Sequence, residues 1–147
     1  MQELSKAGQL QSATADRVDN LASSPGLQVS LADLNGDGRD ELLVQFPAGA
    51  HGSGLQVFGF RGLEFGLLAE LGVGTPVGFR VQDYDNDGRL EVVTKETDWT
   101  VDLQYAYAPR ERLYYRLRPE GFQEVARIKD YSADDLREAK RKAAEPT

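Results

Sequence analysis

Two stretches, Asp33-Leu-Asn-Gly-Asp-Gly-Arg-Asp-Glu41 and Asp83-Tyr-Asp-Asn-Asp-Gly-Arg-Leu-Glu91, decide the fold of this chain. Both follow the pattern Asp-x-(Asp/Asn)-x-Asp-Gly-Arg-x-Glu, and the second begins 50 residues after the first (83 minus 33). A repeat of this length corresponds to one four-stranded structural unit. The chain is therefore predicted to contain the same unit twice.

Strand-like patterns surround both stretches. Before the first, Leu27, Val29 and Leu31 alternate with polar residues, and three more short apolar runs follow it, separated by glycine-rich turns. Alternation with a period of two is typical of half-buried strands, and such turns join antiparallel hairpins. The second repeat has the same pattern, with Thr100–Tyr107 as an additional strand. We predict a mainly β fold of two tandem four-stranded antiparallel units, with short N- and C-terminal helices.

The chain is predicted to form a single domain, residues 1–147. Ser132 and Asp135 have the spacing of a capping box, which predicts a short C-terminal helix. Few apolar residues follow them, so this helix is expected to pack weakly. The predicted segments are an N-terminal helix or linker (1–26), the first repeat (27–74), the second repeat (75–130) and the C-terminal helix (131–147).

Composition excludes several classes of protein. The longest apolar runs are far shorter than the roughly 20 residues that cross a bilayer, so no membrane span is expected. The N-terminal residues contain no apolar signal-peptide core, and a secreted protein would need a leader outside this sequence. Without cysteine, thiol catalysis and cysteine-ligated zinc are excluded. The net charge of −7 argues against nucleic-acid binding and favours metal cations as partners.

Both repeated stretches have the spacing of a cation-binding loop. Oxygen-bearing side chains stand at positions 1, 3, 5 and 9, the glycine at position 6 permits a sharp bend, and the carbonyl of position 7 can turn inward. A set of oxygen ligands of this size suits Ca²⁺ better than Mg²⁺ or a transition metal. We therefore expect two Ca²⁺ sites. The second stretch has four carboxylates and the first has three with an amide, so the second is expected to bind more tightly.

The residue at position 12 of each loop excludes an EF-hand. That position requires a bidentate glutamate, whereas this chain has Val44 and Thr94 there. The residues that follow each loop are apolar and β-branched, which favours a buried strand over an exiting helix. An asparagine- and aspartate-rich turn that binds nothing is the remaining alternative.

With an acidic residue at position 9 and a strand directly after it, each loop resembles the calcium loops of FG-GAP and VCBS-type repeats, known from integrin α-subunit propellers and bacterial surface proteins. The resemblance spans roughly residues 27–128 and implies propeller-blade-like units packed together. The chain has material for only two blades, too few to close a propeller. A sandwich-like pair is expected, and the alternatives are assembly of several chains or a piece of a larger propeller. The matching positions are Asp33, Asn35, Asp37, the Arg39 carbonyl and Glu41, then Asp83, Asp85, Asp87, the Arg89 carbonyl and Glu91.

The resemblance implies a non-catalytic domain with structural Ca²⁺, located outside the cell or in the periplasm, which binds a protein or glycan partner. The alternative is a carbohydrate-active hydrolase or lyase domain, in which Glu96, Asp98 and Asp102 near Trp99 would supply acid and base. His51, the only histidine, lies in a glycine-rich loop without a paired base and is expected to be solvated.

Overall fold

In a computed structural model, residues 26–145 form two four-stranded antiparallel sheets followed by one helix. This confirms the predicted mainly β fold of two tandem units and the C-terminal helix. The helix predicted within residues 1–26 lies outside the described residues. The elements are β1 (Gln28–Ala32), β2 (Glu41–Ala48), β3 (Gly52–Arg61) and β4 (Glu64–Val73), then β5 (Arg80–Gln82), β6 (Glu91–Thr97), β7 (Arg110–Arg118), β8 (Gly121–Lys129) and α1 (Ala133–Ala143).

Each sheet is a simple meander in which strands adjacent in sequence pair with each other, in the orders β1-β2-β3-β4 and β5-β6-β7-β8. The two acidic stretches occupy equivalent places. Residues 33–41, the first acidic loop, connect β1 to β2, and residues 83–91, the second acidic loop, connect β5 to β6. In each case the glutamate at position 9 is the first residue of the next strand.

One apolar core joins the two sheets. Leu55 and Val57 of β3 are fully buried, as is Val92 of β6, and all three belong to the same cluster. Polar contacts cross the same interface, since the Gln45 side chain accepts a hydrogen bond from the backbone N–H of Phe79 and donates one to its carbonyl, both at 2.9 Å. The two repeats are therefore packed against each other.

The prediction of a strand over Thr100–Tyr107 is wrong. β6 pairs directly with β7, with Thr97 opposite Arg110, so the residues between them leave the sheet as a connection. Local hydrogen bonds replace the ladder there, including those from the N–H groups of Val101 to Asp98 and of Ala108 to Gln104. Alternating side chains indicate a strand only when a neighbouring strand can supply the hydrogen bonds, and β7 already occupies that position.

Helix α1 begins with the predicted capping box. Ser132 accepts a hydrogen bond from the N–H of Asp135, whose carboxylate accepts one from the N–H of Ser132. None of its residues is buried, which agrees with the expected weak packing. In the described part of the chain, no helix is both long enough and apolar enough to cross a membrane.

Asp98 anchors the β6–β7 connection to the segment that precedes α1. Its buried carboxylate accepts hydrogen bonds from the hydroxyl of Thr100 at 2.5 Å and from that of Tyr131 at 2.6 Å, and these hold its pKa below the usual 3.8. A lowered pKa stabilises the folded state above the unfolded-state pKa, and this contribution is lost as the pH falls through the folded-state value.

We expect Tyr131→Phe to lower the melting temperature at neutral pH by roughly 2–5 °C, because a buried carboxylate loses one donor. The difference from wild type should shrink as the pH falls below the pKa of Asp98. Thermal unfolding from pH 7 to pH 2 measures both effects. An equal difference at every pH would show that the hydroxyl of Tyr131 does not act through the ionised carboxylate of Asp98.

Candidate metal centre

The first acidic loop is wrapped around the carboxylate of its first residue. Asp33 Oδ1 accepts hydrogen bonds from the backbone N–H groups of Gly36 at 2.9 Å and Asp37 at 3.2 Å. Its Oδ2 accepts one from the N–H of Gly38 at 2.8 Å. These bonds, with that from Gly38 the strongest, lower the pKa of Asp33. Asp33 is therefore a carboxylate kept ionised by the loop's own backbone.

Glu41 supplies a buried carboxylate to the same loop. Its Oε1 accepts the backbone N–H groups of Leu34 at 2.8 Å and Asn35 at 3.0 Å, and the residue is only 3% exposed. Burial raises the pKa of Glu41 despite these two hydrogen bonds. One oxygen from each of three carboxylates lies within 4.8 Å of the others. The three are Asp33, Asp37 and Glu41.

Left-handed backbone conformations give both loops their tight bend. At position 6, Gly38 and Gly88 have φ of 85° and 88°, where a side chain would be strained. At position 4, Gly36 has φ of 73° and the equivalent Asn86 has φ of 59°. Asparagine tolerates this region better than most residues, so both loops reach the same shape with different sequences.

The second acidic loop repeats this arrangement. Asp83 accepts backbone hydrogen bonds from Asp87 at 3.1 Å and from Gly88 at 2.8 Å, and Glu91, which is fully buried, accepts one from Tyr84 at 3.3 Å. Here four carboxylates come within 4.8 Å of one another. They are Asp83, Asp85, Asp87 and Glu91.

Arg116 of β7 reaches into the second acidic loop, a contact that the sequence did not predict. Its Nη2 lies 2.9 Å from Asp87 Oδ2, 3.1 Å from Glu91 Oε2 and 3.4 Å from Asp85 Oδ2, and its Nε also donates to Glu91. The only signal in the sequence is an arginine that stands between Tyr114 and Leu117. Both of these neighbours are buried in the same strand. That signal becomes specific only once the pairing of β6 with β7 is known.

The structure thus brings the carboxylates of each loop together as the spacing predicted. Asn35 lies in the first loop, where its backbone N–H donates to Glu41. Metal binding by these carboxylates, by the side-chain amide of Asn35 and by the carbonyls of Arg39 and Arg89 stays a prediction. All available donors are oxygens, and oxygen clusters of this kind suit hard divalent cations.

Two of the three acids proposed for carbohydrate chemistry, Glu96 and Asp98, have other partners, and Asp102 is exposed. Asp98 accepts three hydrogen bonds and has a lowered pKa, whereas a general acid at neutral pH needs a raised one. Glu96 accepts hydrogen bonds from the backbone N–H groups of Gly74 and Thr97, both at 2.9 Å. Both carboxylates therefore hold backbone and loop segments in place.

Aromatic residues near these acids divide into two groups. Tyr114 is buried in the sheet, whereas Trp99 is 67% exposed in the β6–β7 connection. Exposed His51 stacks on Tyr105, with ring centroids 4.7 Å apart. Tyr105 and Tyr107 both lie in the β6–β7 connection, so they do not share a strand face.

Comparison with protein families identifies the first repeat. Residues 25–57 match the family model of the FG-GAP repeat. The FG-GAP match covers β1, the first acidic loop, β2 and the first part of β3, and it confirms the resemblance of this first repeat to an FG-GAP repeat. FG-GAP repeats are a generally non-catalytic family that usually occurs in extracellular proteins. Comparison with curated proteins and with solved structures gave no significant match.

Proposed function

We propose that this chain is a non-catalytic calcium-binding β-repeat domain in which Ca²⁺ stabilises the acidic loops. The observation that carries the proposal is the convergence of the Asp33, Asp37 and Glu41 carboxylates within a segment that matches an FG-GAP repeat. The proposed calcium ligands are Asp33, Asn35, Asp37, the Arg39 carbonyl and Glu41 in the first acidic loop, and Asp83, Asp85, Asp87, the Arg89 carbonyl and Glu91 in the second.

The electrostatics of the first acidic loop support a cation there. Glu41 is buried beside Asp33 and Asp37, and the charges of both neighbours contribute to its raised pKa. Within residues 26–145, the ion pair in this cluster is the exposed contact of Arg39 with Asp37 at 3.8 Å, and neither Asp33 nor Glu41 has one. A divalent cation would neutralise this charge and supply the missing partner for the buried carboxylate.

The same proposal places the domain outside the cell or in the periplasm, where calcium is abundant enough to occupy loops of moderate affinity. The usual occurrence of FG-GAP repeats in extracellular proteins supports this location. A protein or glycan partner is proposed as well. Trp99 is 67% exposed in the β6–β7 connection, and a tryptophan in such a position is a common contact with either type of partner.

We expect Ca²⁺ to raise the melting temperature of protein stripped with a chelator. At a free concentration 100 times the dissociation constant, one bound ion adds about 2.7 kcal/mol to the free energy of unfolding. Mg²⁺ should add far less, because it resists full dehydration. Thermal unfolding in chelator, in Ca²⁺ and in Mg²⁺ measures this.

A matched pair of variants tests the site itself. Asp37→Asn keeps the shape of the side chain and the acceptor for the N–H of Arg39, which lies 2.9 Å from Asp37 Oδ1, but removes one ligand charge. Most of the calcium-dependent stabilisation should be lost. Asp40→Asn changes the net charge equally at an exposed position outside the cluster and should retain it. Equal responses of both variants, or no calcium-specific shift in wild type, would contradict the proposal.

A further inference from the structure

The two acidic loops face different residues at one equivalent position of the neighbouring strand. In the first sheet Leu42 pairs with Phe58, so Gly59 follows opposite Glu41. In the second sheet Val92 pairs with Tyr115, so Arg116 follows opposite Glu91. Each position is the second residue after an irregularity in the pairing with the next strand, which falls between 57 and 58 in β3 and between 114 and 115 in β7. Gly59 and Arg116 are therefore structural counterparts.

At the second acidic loop, the guanidinium of Arg116 contacts the carboxylates that would bind an ion. It lies within 3.4 Å of oxygens of Asp85, Asp87 and Glu91, and the side chain is only 15% exposed. An arginine guanidinium is always protonated in proteins, so Arg116 brings a permanent positive charge to these carboxylates. Arg116 thus stays charged and satisfies this cluster from within the chain.

At the first acidic loop, the same position is Gly59, and a side chain there would require Leu68 and Glu41 to shift. A Cβ added to Gly59 would lie 2.8 Å from Leu68 Cδ1 and 3.1 Å from Glu41 Cγ, both closer than normal packing allows. The β3 strand therefore sends no group toward Glu41 from this position. The contrast between the two loops follows from one residue, a glycine in β3 and an arginine in β7.

We propose that Arg116 is the built-in counter-cation of the second acidic loop and that it weakens Ca²⁺ binding there, which leaves the first loop as the tight calcium site. The inference rests on the proposed calcium function and reverses the ranking expected from carboxylate number. An ion entering the second loop must displace the guanidinium from Asp85, Asp87 and Glu91, or share their oxygens with a like charge. The loss of these charge-assisted hydrogen bonds makes the second site at least about tenfold weaker than the first.

Calcium titration of the chelator-stripped full chain by isothermal calorimetry tests this. We expect one tight site in wild type. Asp37→Asn should remove that site, and Asp87→Asn should leave it unchanged. Arg116→Gln should strengthen binding at the second loop at least about tenfold, so that two ions bind. Arg118→Gln is the control, because it removes the same charge from the same strand while its side chain contacts Gln123 and not the acidic cluster.

Each outcome separates the inference from the function on which it rests. Two tight sites in wild type, or loss of the tight site in Asp87→Asn, would overturn the role of Arg116 and leave calcium binding standing. Absence of calcium binding from every variant, including Arg116→Gln, would refute both. If Arg116→Gln fails to fold, the comparison of Asp37→Asn with Asp87→Asn still decides, because both retain Arg116.

Discussion

Replacing Leu55 with alanine is expected to lower the free energy of unfolding by about 2–5 kcal/mol. Leu55 is fully buried in β3 and belongs to the cluster that also contains Val92 and Leu117 of the second sheet. The truncation leaves a cavity between the two repeats as well as removing apolar contact. Urea unfolding followed by circular dichroism and by the fluorescence of Trp99, the only tryptophan, measures the loss.

The same experiment tests whether the chain is a single domain, which we propose from its shared core. Leu55 lies in the first repeat and Trp99 in the second. If the chain is one cooperative unit, Leu55→Ala must shift the unfolding transitions measured by circular dichroism and by Trp99 fluorescence together. Leu63→Ala is the control, since Leu63 is 71% exposed in the β3–β4 turn and its loss should change stability by less than about 0.5 kcal/mol. Separate transitions for the two probes would contradict the single domain.

Glutamine substitutions at the two equivalent glutamates are expected to have opposite effects in the presence of a chelator. Glu91→Gln should destabilise the protein by about 3 kcal/mol, because it breaks a buried ion pair with Arg116. This value is at the low end for such pairs, since Asp85 and Asp87 still contact the guanidinium. Chemical unfolding at pH 7 measures the difference.

Glu41→Gln should instead stabilise the calcium-free protein. Burial raises the pKa of Glu41, so its ionisation opposes folding, and the stability of the folded state falls as the pH rises through that raised pKa. A glutamine oxygen can still accept the N–H groups of Leu34 and Asn35. The gain should therefore appear at pH 7 and disappear at acidic pH, and calcium-dependent stabilisation should be lost. Destabilisation of both variants alike would show that the two glutamates have the same role.

Local sequence was sufficient to predict the repeat, the strands around it and the membership of each acidic cluster. The carboxylates of one cluster lie within nine residues of each other, and a glycine at position 6 is enough to close the loop around them. Likewise, Ser132 and Asp135 cap α1 through groups three residues apart. Such features depend on short-range geometry, which residue type and spacing specify directly.

Only the tertiary structure decided how the two loops differ. Arg116 is 25 residues from Glu91 in sequence and reaches it through the pairing of β6 with β7, and Gly59 faces Glu41 through the pairing of β2 with β3. The absence of a strand at Thr100–Tyr107 likewise depends on which strand pairs with β6. Strand pairing is a long-range feature that depends on packing in the shared core, and it determines which charges lie within a few ångströms of each other. Carboxylate number therefore follows from the sequence, while the charge that each cluster presents to an ion follows from the fold.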